Sequence, residues 1–187
     1  MSALWASHFG NSYHERNRLD WAMRVPFWRR IAEITGCQSA LEVGCGPGWN
    51  LLALRKCGVR TLWGVEVNEQ ATEEARAHGF NVIHADALIC SYLSRTVDLT
   101  FTAGMLIHVP PAELSEVMRV IAHASRRYVL AVEYAADEET EIEYRGEMGR
   151  LWKRPFGELY RAMGLRLGWY GAAEGFDRCD YWLMEKT

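Results

Sequence analysis

The sequence predicts an α/β fold in which a mostly parallel sheet is covered by helices and ends in an antiparallel hairpin. Two observations support this prediction. Short apolar runs alternate with longer amphipathic stretches along most of the chain, which is typical of a parallel sheet with crossover helices. Near the end, the runs 166–170 and 180–185 are separated by Gly- and Asp-bearing turn residues and no helical pattern, which predicts the hairpin.

The elements of the first half are separated by glycines, which end helices and permit tight turns. The first apolar run ends at a glycine cluster, and each of the two helical patterns that follow stops at a single glycine. This pattern predicts, in order, a strand over 39–43, a helix over 50–57, a strand over 61–67, a helix over 69–78 and a strand over 81–84.

The second half continues the alternation and completes a seven-stranded sheet. A strand over 97–103 precedes a helix over 111–124, whose apolar residues recur with a 3.6-residue period. This apolar face is formed by Leu114, Val117, Met118 and Ile121. The elements that follow are a strand over 128–133, a charged segment with little periodicity, a helix over 156–163 and the two hairpin strands.

Composition indicates an ordinary globular domain. The chain has 187 residues, of which 49% are hydrophobic and 24% charged, so it is long enough to bury a substantial core. We therefore predict one domain over 1–187, with an N-terminal helical cap over 1–36 and a substrate-side insert over 135–155. The net charge of −3 provides no general attraction to phosphate backbones, so a nucleic-acid partner is not expected.

Cysteine usage and the apolar runs point to a reducing compartment. The five cysteines form no C-x-x-C pair, and no histidine cluster has the spacing of a metal site, so we expect free thiols and no bound metal. The N-terminal stretch does not resemble a secretory leader, and no apolar run approaches the roughly 20 residues of a membrane span. The expectation is a cytoplasmic protein without a membrane partner; the oligomeric state is left open.

A glycine-rich bend follows the first predicted strand and is the strongest functional signal. Residues 42–48 read E-V-G-C-G-P-G, and glycine is needed where a backbone has positive φ or lies against a ligand. About 20 residues further on, Glu66 ends the second strand, where an acid can accept hydrogen bonds from ribose hydroxyls. Together they predict a nucleoside site, although a glycine turn without a ligand is the alternative.

The position of the third glycine, Gly48, distinguishes a dinucleotide site from a site for a nucleoside without phosphate. A dinucleotide site needs G-x-G-x-x-G/A, but the position of the last small residue is occupied here by Trp49. Pro47 also removes one amide donor from the bend, and the chain has no phosphate-binding loop of the G-x-x-x-x-G-K type. A ligand with ribose and adenine but no phosphate is favoured, and S-adenosylmethionine is such a ligand.

The bend, Glu66 and Asp86 together resemble the class I S-adenosylmethionine-dependent methyltransferases. Within that superfamily, nearly the whole chain is similar to the pseudaminic acid biosynthesis-associated methylases. The stretches that carry this resemblance are W-A-S-H-F-G-N-S-Y-H-E-R-N from Trp5, F-T-A-G-M-L-I-H-V from Phe101, the pair Glu133-Tyr134, E-I-E-Y-R-G from Glu141 and W-K-R-P-F from Trp152. The resemblance implies a Rossmann-like methyltransferase fold and methylation of a small metabolite linked to nonulosonic or other unusual sugars.

The resemblance also implies which residues bind the cofactor. The bend would border its methionine part, Glu42 would orient the bend or reach the amino group, and Glu66 would accept from the ribose. Asp86 would accept from the adenine amine, although its alternative role is to cap a helix. The full set comprises Glu42, Gly44, Cys45, Gly46, Gly48, Asn50, Glu66, Val67, Asp86, Ala87, Ala103, Gly104, His108, Tyr13 and Arg16.

His108 and Tyr144 are the candidate catalytic residues. Methyl transfer from a sulfonium mainly needs alignment of the acceptor, and a hydroxyl or ammonium acceptor must also lose a proton. His108 follows the fourth strand and has an ordinary pKa near neutrality, so it is the best-placed general base. The alternative is that its ring only packs against the cofactor or caps the next helix.

Candidate substrate contacts come from the fifth strand end and the insert, which are Glu133, Tyr134, Tyr144, Arg145 and Lys153. The planar guanidinium of Arg145 suits a sugar-acid carboxylate. At the N-terminus, Tyr13 and Arg16 are expected over the cofactor, with Arg16 pairing its carboxylate; simple packing of this helix on the sheet is the alternative.

The prediction is methyl transfer to an oxygen or nitrogen of a small polar metabolite, an unusual sugar or pseudaminic-acid-type derivative. Three alternatives stay open. One is a methyltransferase for a protein or RNA group, and the second is a catalytically silent module that binds S-adenosylmethionine. The third, a nucleotide-binding oxidoreductase, is disfavoured by Trp49.

Overall fold

A seven-stranded sheet forms the centre of the structure, a computed structural model that describes residues 2–16 and 20–186. The strand order is β3-β2-β1-β4-β5-β9-β8, and β6 and β7 form a separate two-stranded sheet. The strands are β1 Ser39–Val43, β2 Thr61–Glu66, β3 Asn81–His84, β4 Val97–Ala103, β5 Ser125–Glu133, β6 Thr140–Tyr144, β7 Glu147–Lys153, β8 Arg166–Ala172 and β9 Asp180–Glu185.

The pairing of the strands confirms the predicted mostly parallel sheet and its terminal hairpin. Strand β1 is parallel to β2 and β4, and β4 is parallel to β5. Strand β9 lies antiparallel between β5 and β8. From β1 the chain proceeds outward to β2 and β3, and then returns to the other side for β4. In such a sheet, the crevice at the carboxyl ends of β1 and β4 is where ligands bind.

Seven α-helices pack around these strands or precede them in the described residues. They are α1 Ser2–Trp5, α2 His8–Arg16, α3 Val25–Thr35, α4 Trp49–Lys56, α5 Glu69–Ala77, α6 Pro111–Ala124 and α7 Phe156–Ala162. Short 3-10 helices cover Trp21–Arg24, Ala87–Tyr92 and Leu106–His108. Across the described residues, no helix has both the length and the apolar character that a membrane crossing needs.

Apolar side chains on both faces of the sheet form two cores. One face packs against α3 and α4, with Trp28, Leu51 and Phe101 fully buried. The other packs against α6 and α7, where Met118 and Phe156 are equally buried. The predicted apolar face of the 111–124 helix is buried as expected. The removal of apolar area from water on both faces stabilises the sheet by about 25 cal/mol per Å².

The charged segment after β5 is more regular than the sequence analysis predicted. Strands β6 and β7 pair antiparallel, from Thr140 opposite Lys153 to Tyr144 opposite Glu147, and Arg145 and Gly146 make the turn. Half-buried Ile142 and Tyr144 alternate with exposed Glu141 in β6. We refer to β6 and β7 as the charged hairpin.

Candidate active site

The glycine bend after β1 has the backbone conformation that its sequence requires. Gly44, Gly46 and Gly48 have φ values of 74°, 51° and 84°, in the left-handed region that favours glycine. The amide nitrogens of Gly44 and Cys45 donate to the carbonyl oxygen of Val65 on β2, at 2.8 and 3.1 Å. The bend is thereby fixed at the carboxyl edge of the sheet.

Side chains from the β4 side cover this bend. A Cβ atom at Gly44 would lie 2.6 Å from Cγ of Met105, so the methionine side chain packs directly on the glycine backbone. Methionine is unbranched and flexible, so its side chain can change rotamer without movement of the backbone. A ligand that lies against Gly44 would therefore require Met105 to turn aside.

Glu66 lies against the bend, and its carboxylate is almost fully buried. Its Oε2 accepts from the amide of Gly46 at 2.7 Å, and its Oε1 accepts from the amides of Val67 and Asn68 at 2.9 and 2.8 Å. Burial raises the pKa of Glu66, and these N–H donors oppose the rise. A carboxylate has about four acceptor positions, so about one is left for a further donor such as a ribose hydroxyl.

Glu42 provides a buried acceptor at the inner side of the bend. Its side chain is 1% exposed; Oε1 accepts from Nδ2 of Asn50 at 2.6 Å, and Oε2 has no hydrogen-bond partner. Burial raises the pKa of Glu42 to about 8, against the opposing effects of Asn50 and Arg24. A buried carboxylate oxygen without a donor costs free energy, which a bound cation would recover.

Arg24 completes this arrangement, and the sequence analysis did not identify it. Its Nη1 donates to Oδ1 of Asn50 at 2.9 Å, and its guanidinium lies 4.0 Å from the ring centroid of Phe176. Burial lowers the pKa of Arg24, with Glu42 opposing. The side chain of Arg16, which was predicted to pair with the cofactor carboxylate, lies outside the described residues. No local pattern in the sequence relates Arg24 to Glu42 and Asn50.

The residues predicted near adenine gather at the ends of β2 and β3. Oδ1 of Asp86 accepts from the amide of Leu88 at 2.9 Å and so caps the 3-10 helix, which is the alternative role considered for it. Val67 and Ala87 are half-buried. The ring of His84 donates from Nε2 to the carbonyl of Val67 at 3.0 Å.

Glu133 has different surroundings from those expected of a substrate contact. Its side chain is fully buried, and its carboxylate accepts from the amides of Met105, Leu106 and Ile107 at 3.1–3.3 Å. Burial raises the pKa of Glu133 to about 7, and these hydrogen bonds oppose the rise. Because the side chain is fully buried and its carboxylate is turned towards these amides, Glu133 holds the loop after β4 in this structure, and its contact with a substrate stays a prediction.

His108 lies in that loop with its ring buried. Its Nδ1 is 2.7 Å from the carbonyl oxygen of Arg150, on strand β7 of the charged hairpin. Burial lowers the pKa of His108 to about 4 and the Arg150 carbonyl opposes this, so the ring is neutral at pH 7. A carbonyl can only accept, so Nδ1 has the proton and Nε2 has the lone pair.

An aromatic cluster from the N-terminal helices covers His108. The ring of Trp5 lies 4.6 Å from that of His108 and 5.3 Å from that of Tyr13, measured between centroids. Phe9 lies 6.5 Å from Tyr144, and Tyr144 lies 5.4 Å from His108. Burial is the main cause that raises the pKa of Tyr13 to about 12, and the nearby Tyr144 adds to the rise. The two candidate catalytic residues are therefore neighbours beneath the N-terminal helices.

The other candidate substrate contacts are more dispersed. Nζ of Lys153 lies 6.0 Å from the ring centroid of half-buried Tyr134. Arg145 is exposed at the turn of the charged hairpin, with φ 56° and its guanidinium 5.8 Å from the ring centroid of Tyr144. Strand β4 ends at Ala103, Gly104 follows it directly, and a Cβ atom on Gly104 would meet nothing within 4 Å.

Comparison with known proteins finds a matching domain class over part of this chain. Residues 40–127 match the family model described as a methyltransferase domain. That region runs from β1 to the start of β5, so it contains the glycine bend, Glu66, Asp86 and His108. The match covers a little under half of the chain and agrees with the predicted methyltransferase over that region.

Individual relatives agree with that class. A tRNA U34 carboxymethyltransferase of Idiomarina loihiensis is 25% identical over 175 residues, which cover 81% of this chain and 50% of that protein, so the chain spans about half the length of this curated relative. The magnesium protoporphyrin IX methyltransferase of Synechocystis PCC 6803, solved with S-adenosylmethionine, has a TM-score of 0.76 at 13% identity, with 100% and 95% of the two chains covered. The sugar N-methyltransferase of Streptoalloteichus sp has a TM-score of 0.73 at 17% identity, with coverage of 97% and 93%.

The structural likeness confirms the predicted Rossmann-like methyltransferase fold and is consistent with S-adenosylmethionine as the cofactor. The residues at the bend fit that molecule. Glu42 has an unpartnered buried oxygen for an ammonium group, and Arg24 provides a guanidinium for a carboxylate. Glu66 has an acceptor position for a hydroxyl.

Proposed function

We propose that this chain transfers a methyl group from S-adenosylmethionine to an oxygen or nitrogen of a small polar metabolite. The observation that carries the proposal is the buried arrangement of Glu42, Asn50 and Arg24 beside the glycine bend. An unpartnered carboxylate oxygen next to a guanidinium is complementary to the zwitterionic end of an amino acid, and a dinucleotide has no such group.

The cofactor would lie along the carboxyl edge of the sheet. Oε2 of Glu42 would accept from its ammonium, and Arg24 would donate to its carboxylate. Glu66 would accept from the ribose, with Val67, Asp86 and Ala87 at the adenine. The backbone of Ala103 and Gly104 would lie below the sulfonium, and Met105 would turn away from Gly44 to admit it.

The bound cofactor supplies an electrophilic methyl group, so the chain has to place the acceptor, exclude water and remove a proton. His108 is neutral and has its lone pair on Nε2, so it is able to accept a proton from the acceptor. Its low pKa makes it a weak base, so its main contribution is the position of the ring. The hydroxyl of Tyr144 is the second polar group beside it.

For the acceptor, we propose an unusual sugar or a pseudaminic-acid-type nonulosonic acid derivative. The resemblance of the E-I-E-Y-R-G and K-R-x-F stretches to the pseudaminic acid-associated methylases supports this, as does the fold shared with a sugar N-methyltransferase. Tyr134, Tyr144, Arg145 and Lys153 would line the acceptor side, with Arg145 available for a carboxylate.

The test is a transfer assay with S-adenosylmethionine labelled on its methyl group. Separate reactions contain nonulosonic acids, amino sugars, sugar nucleotides, tRNA and a mixed peptide pool. We expect label only in a sugar or nonulosonic acid, and a large loss in a His108→Gln variant. Transfer to tRNA alone would favour the RNA alternative suggested by the curated relative. Tight cofactor binding with no transfer to any acceptor would favour the catalytically silent module.

A further inference from the structure

The loop after β4, residues 104–109, is held by charged side chains at its amide groups. Glu133 lies at the end of β5. Its Oε1 accepts hydrogen bonds from the amides of Met105 and Leu106, and its Oε2 accepts from the amide of Ile107. These amides begin the 3-10 helix Leu106–His108, whose first N–H groups have no partner within the helix itself. A carboxylate at such an end is favourable for both hydrogen bonding and the helix dipole.

The carbonyl groups of the same loop are held by a second buried charge. Arg154 is 0% exposed; its Nη1 donates to the carbonyl oxygen of Leu106 at 2.9 Å, and its Nη2 donates to that of Val109 at 2.8 Å. Its Nε donates to Glu139 at 2.7 Å, which provides the guanidinium with an anionic partner. The planar guanidinium suits two parallel carbonyl acceptors, which an ammonium group would not match.

A hydrogen bond from this loop to β7 determines which ring nitrogen of His108 has the proton. Its Nδ1 donates to the carbonyl oxygen of Arg150, on the same strand β7 that Arg154 follows directly. A displacement of the loop relative to β7 would lengthen this 2.7 Å hydrogen bond. With Nδ1 released, the proton is free to move to Nε2, and the lone pair would then be on the wrong nitrogen for the acceptor.

We propose that Glu133 and Arg154 are positioning residues for His108, which hold the loop against the charged hairpin and so fix the ring in its Nδ1–H tautomer. The catalytic consequence rests on the proposed function, in which Nε2 faces the acceptor. The tautomer of His108 itself does not depend on the proposed function. Burial of two charged side chains is costly, and an apolar pair would stabilise the loop at lower cost, so their presence is consistent with a positional role.

Nuclear magnetic resonance of the histidine rings tests the proposal without any substrate. In protein labelled with ¹⁵N-histidine, the ring nitrogens of His108, assigned with a His108→Gln variant, should report a single Nδ1–H tautomer at pH 8.5, above the pKa of about 7 to which burial raises Glu133. Glu133→Gln and Arg154→Lys should each give a mixture with the Nε2–H form. Arg161→Lys, which changes an exposed ion pair with Glu158 on α7, is the matched control and should retain one tautomer.

A measurement on the unmodified protein covers the case in which a variant does not fold. Hydrogen exchange at the amides of Met105, Leu106 and Ile107 should be slowed at least about 100-fold relative to the exposed turn of the charged hairpin. Unprotected amides there, or a single Nδ1–H tautomer in both folded variants, would overturn the proposal. Absence of cofactor binding would contradict the proposed function and leave these readouts unaffected.

Turnover distinguishes a positional role from a merely structural one. With an acceptor available, Glu133→Gln and Arg154→Lys should lower kcat by about 10- to 100-fold, because small displacements of a reacting group are costly, while KM for the cofactor changes less than about 2-fold. A proportional loss in kcat and cofactor binding together would instead indicate general damage to the fold and would count against the proposal.

Discussion

Nδ2 of Asn50 donates to Oε1 of Glu42 at 2.6 Å and leaves Oε2 of the same carboxylate buried without a partner. The other end of the Asn50 amide accepts from Arg24. The side-chain amide of Asn50 therefore lies between the carboxyl group of Glu42 and the guanidinium of Arg24 and forms a hydrogen bond with each. The arrangement remains polar at the edge of the sheet, where the cofactor is proposed to bind.

Arg24 is expected to contribute to cofactor affinity. An Arg24→Met variant should bind S-adenosylhomocysteine about 10- to 100-fold more weakly, because a charged hydrogen bond contributes about 1.5–3 kcal/mol. Titration calorimetry gives this ratio. Arg30→Met is the control, since Arg30 is exposed on α3. Equal affinities of Arg24→Met and the unmodified chain would exclude Arg24 as a ligand contact.

Cofactor binding should release a proton from Glu42. Because burial raises the pKa of Glu42 to about 8, this carboxyl is mostly protonated at pH 7 before binding. The ammonium group of the ligand favours the ionised form, so its pKa falls on binding. Calorimetry in buffers of different ionisation enthalpy should show close to one proton released at pH 7 and about half a proton at pH 8.

Because Glu42 has to lose its proton for binding, the affinity for the cofactor depends on pH. It should increase from pH 6 to about 8 and then level off. Glu42→Gln should bind more weakly and release no proton, since an amide does not ionise in this range. An unchanged proton count in Glu42→Gln would assign the titration to another group.

His108 is expected to contribute through position and not through a protonation change near neutrality. Since burial lowers its pKa to about 4, the ring stays neutral from pH 8 down to pH 6. Any fall in the transfer rate in that interval is therefore expected to follow Glu133, whose pKa burial raises to about 7, and not the His108 ring. His108→Gln should lower kcat by about 10²-fold, because the glutamine side chain does not hold the acceptor in the same position. A change in the ring ¹⁵N chemical shifts of His108 with a midpoint near 6.5 would contradict the neutral ring.

Asn68 connects the N-terminal helices to the sheet edge. Its Nδ2 donates to the carbonyl of Trp5 at 3.0 Å and to Oδ1 of Asn11 at 2.7 Å, while its Oδ1 caps α5 at the amide of Ala71. Asn68→Asp keeps the cap and removes both donors. We expect faster proteolysis within residues 2–16 and a lower free energy of unfolding, because a buried carboxylate oxygen would then face two acceptor oxygens.

Asn68→Ala is the comparison variant, since it removes both contacts and the cap. Relative to the unmodified protein, it should show the same faster proteolysis and lose about 1 kcal/mol of unfolding free energy with the cap. Equal protection of residues 2–16 in Asn68→Asp and the unmodified protein would mean that these hydrogen bonds do not hold the N-terminal helices.

The sheet and the bend were predictable because their signals are local. The apolar runs and the glycines define β1 and β2, and the bounds of β4 and α6 agree with the predicted ranges 97–103 and 111–124. The charged hairpin was missed, although Glu141 and Ile142 begin a regular polar–apolar alternation before the Arg145-Gly146 turn. Its high charge density masked that pattern.

Side-chain partners across the fold were not predictable in the same way. Glu133 ends a parallel strand, which normally indicates a ligand contact, but its carboxylate turns back to the loop at Leu106. Arg24 lies in a 3-10 helix, and its contact with Asn50 depends on how α3 packs beside α4. Such contacts follow from tertiary packing, for which a single sequence has no local pattern.

Titration of the unmodified protein with S-adenosylhomocysteine and with NAD decides which of the two ligands the glycine bend binds. A bend with Glu42 and Arg24 on one side and Glu66 on the other should bind S-adenosylhomocysteine with a dissociation constant in the micromolar range and NAD at least about 100-fold more weakly. Binding of NAD with equal or higher affinity, or no binding of S-adenosylhomocysteine, would contradict the account.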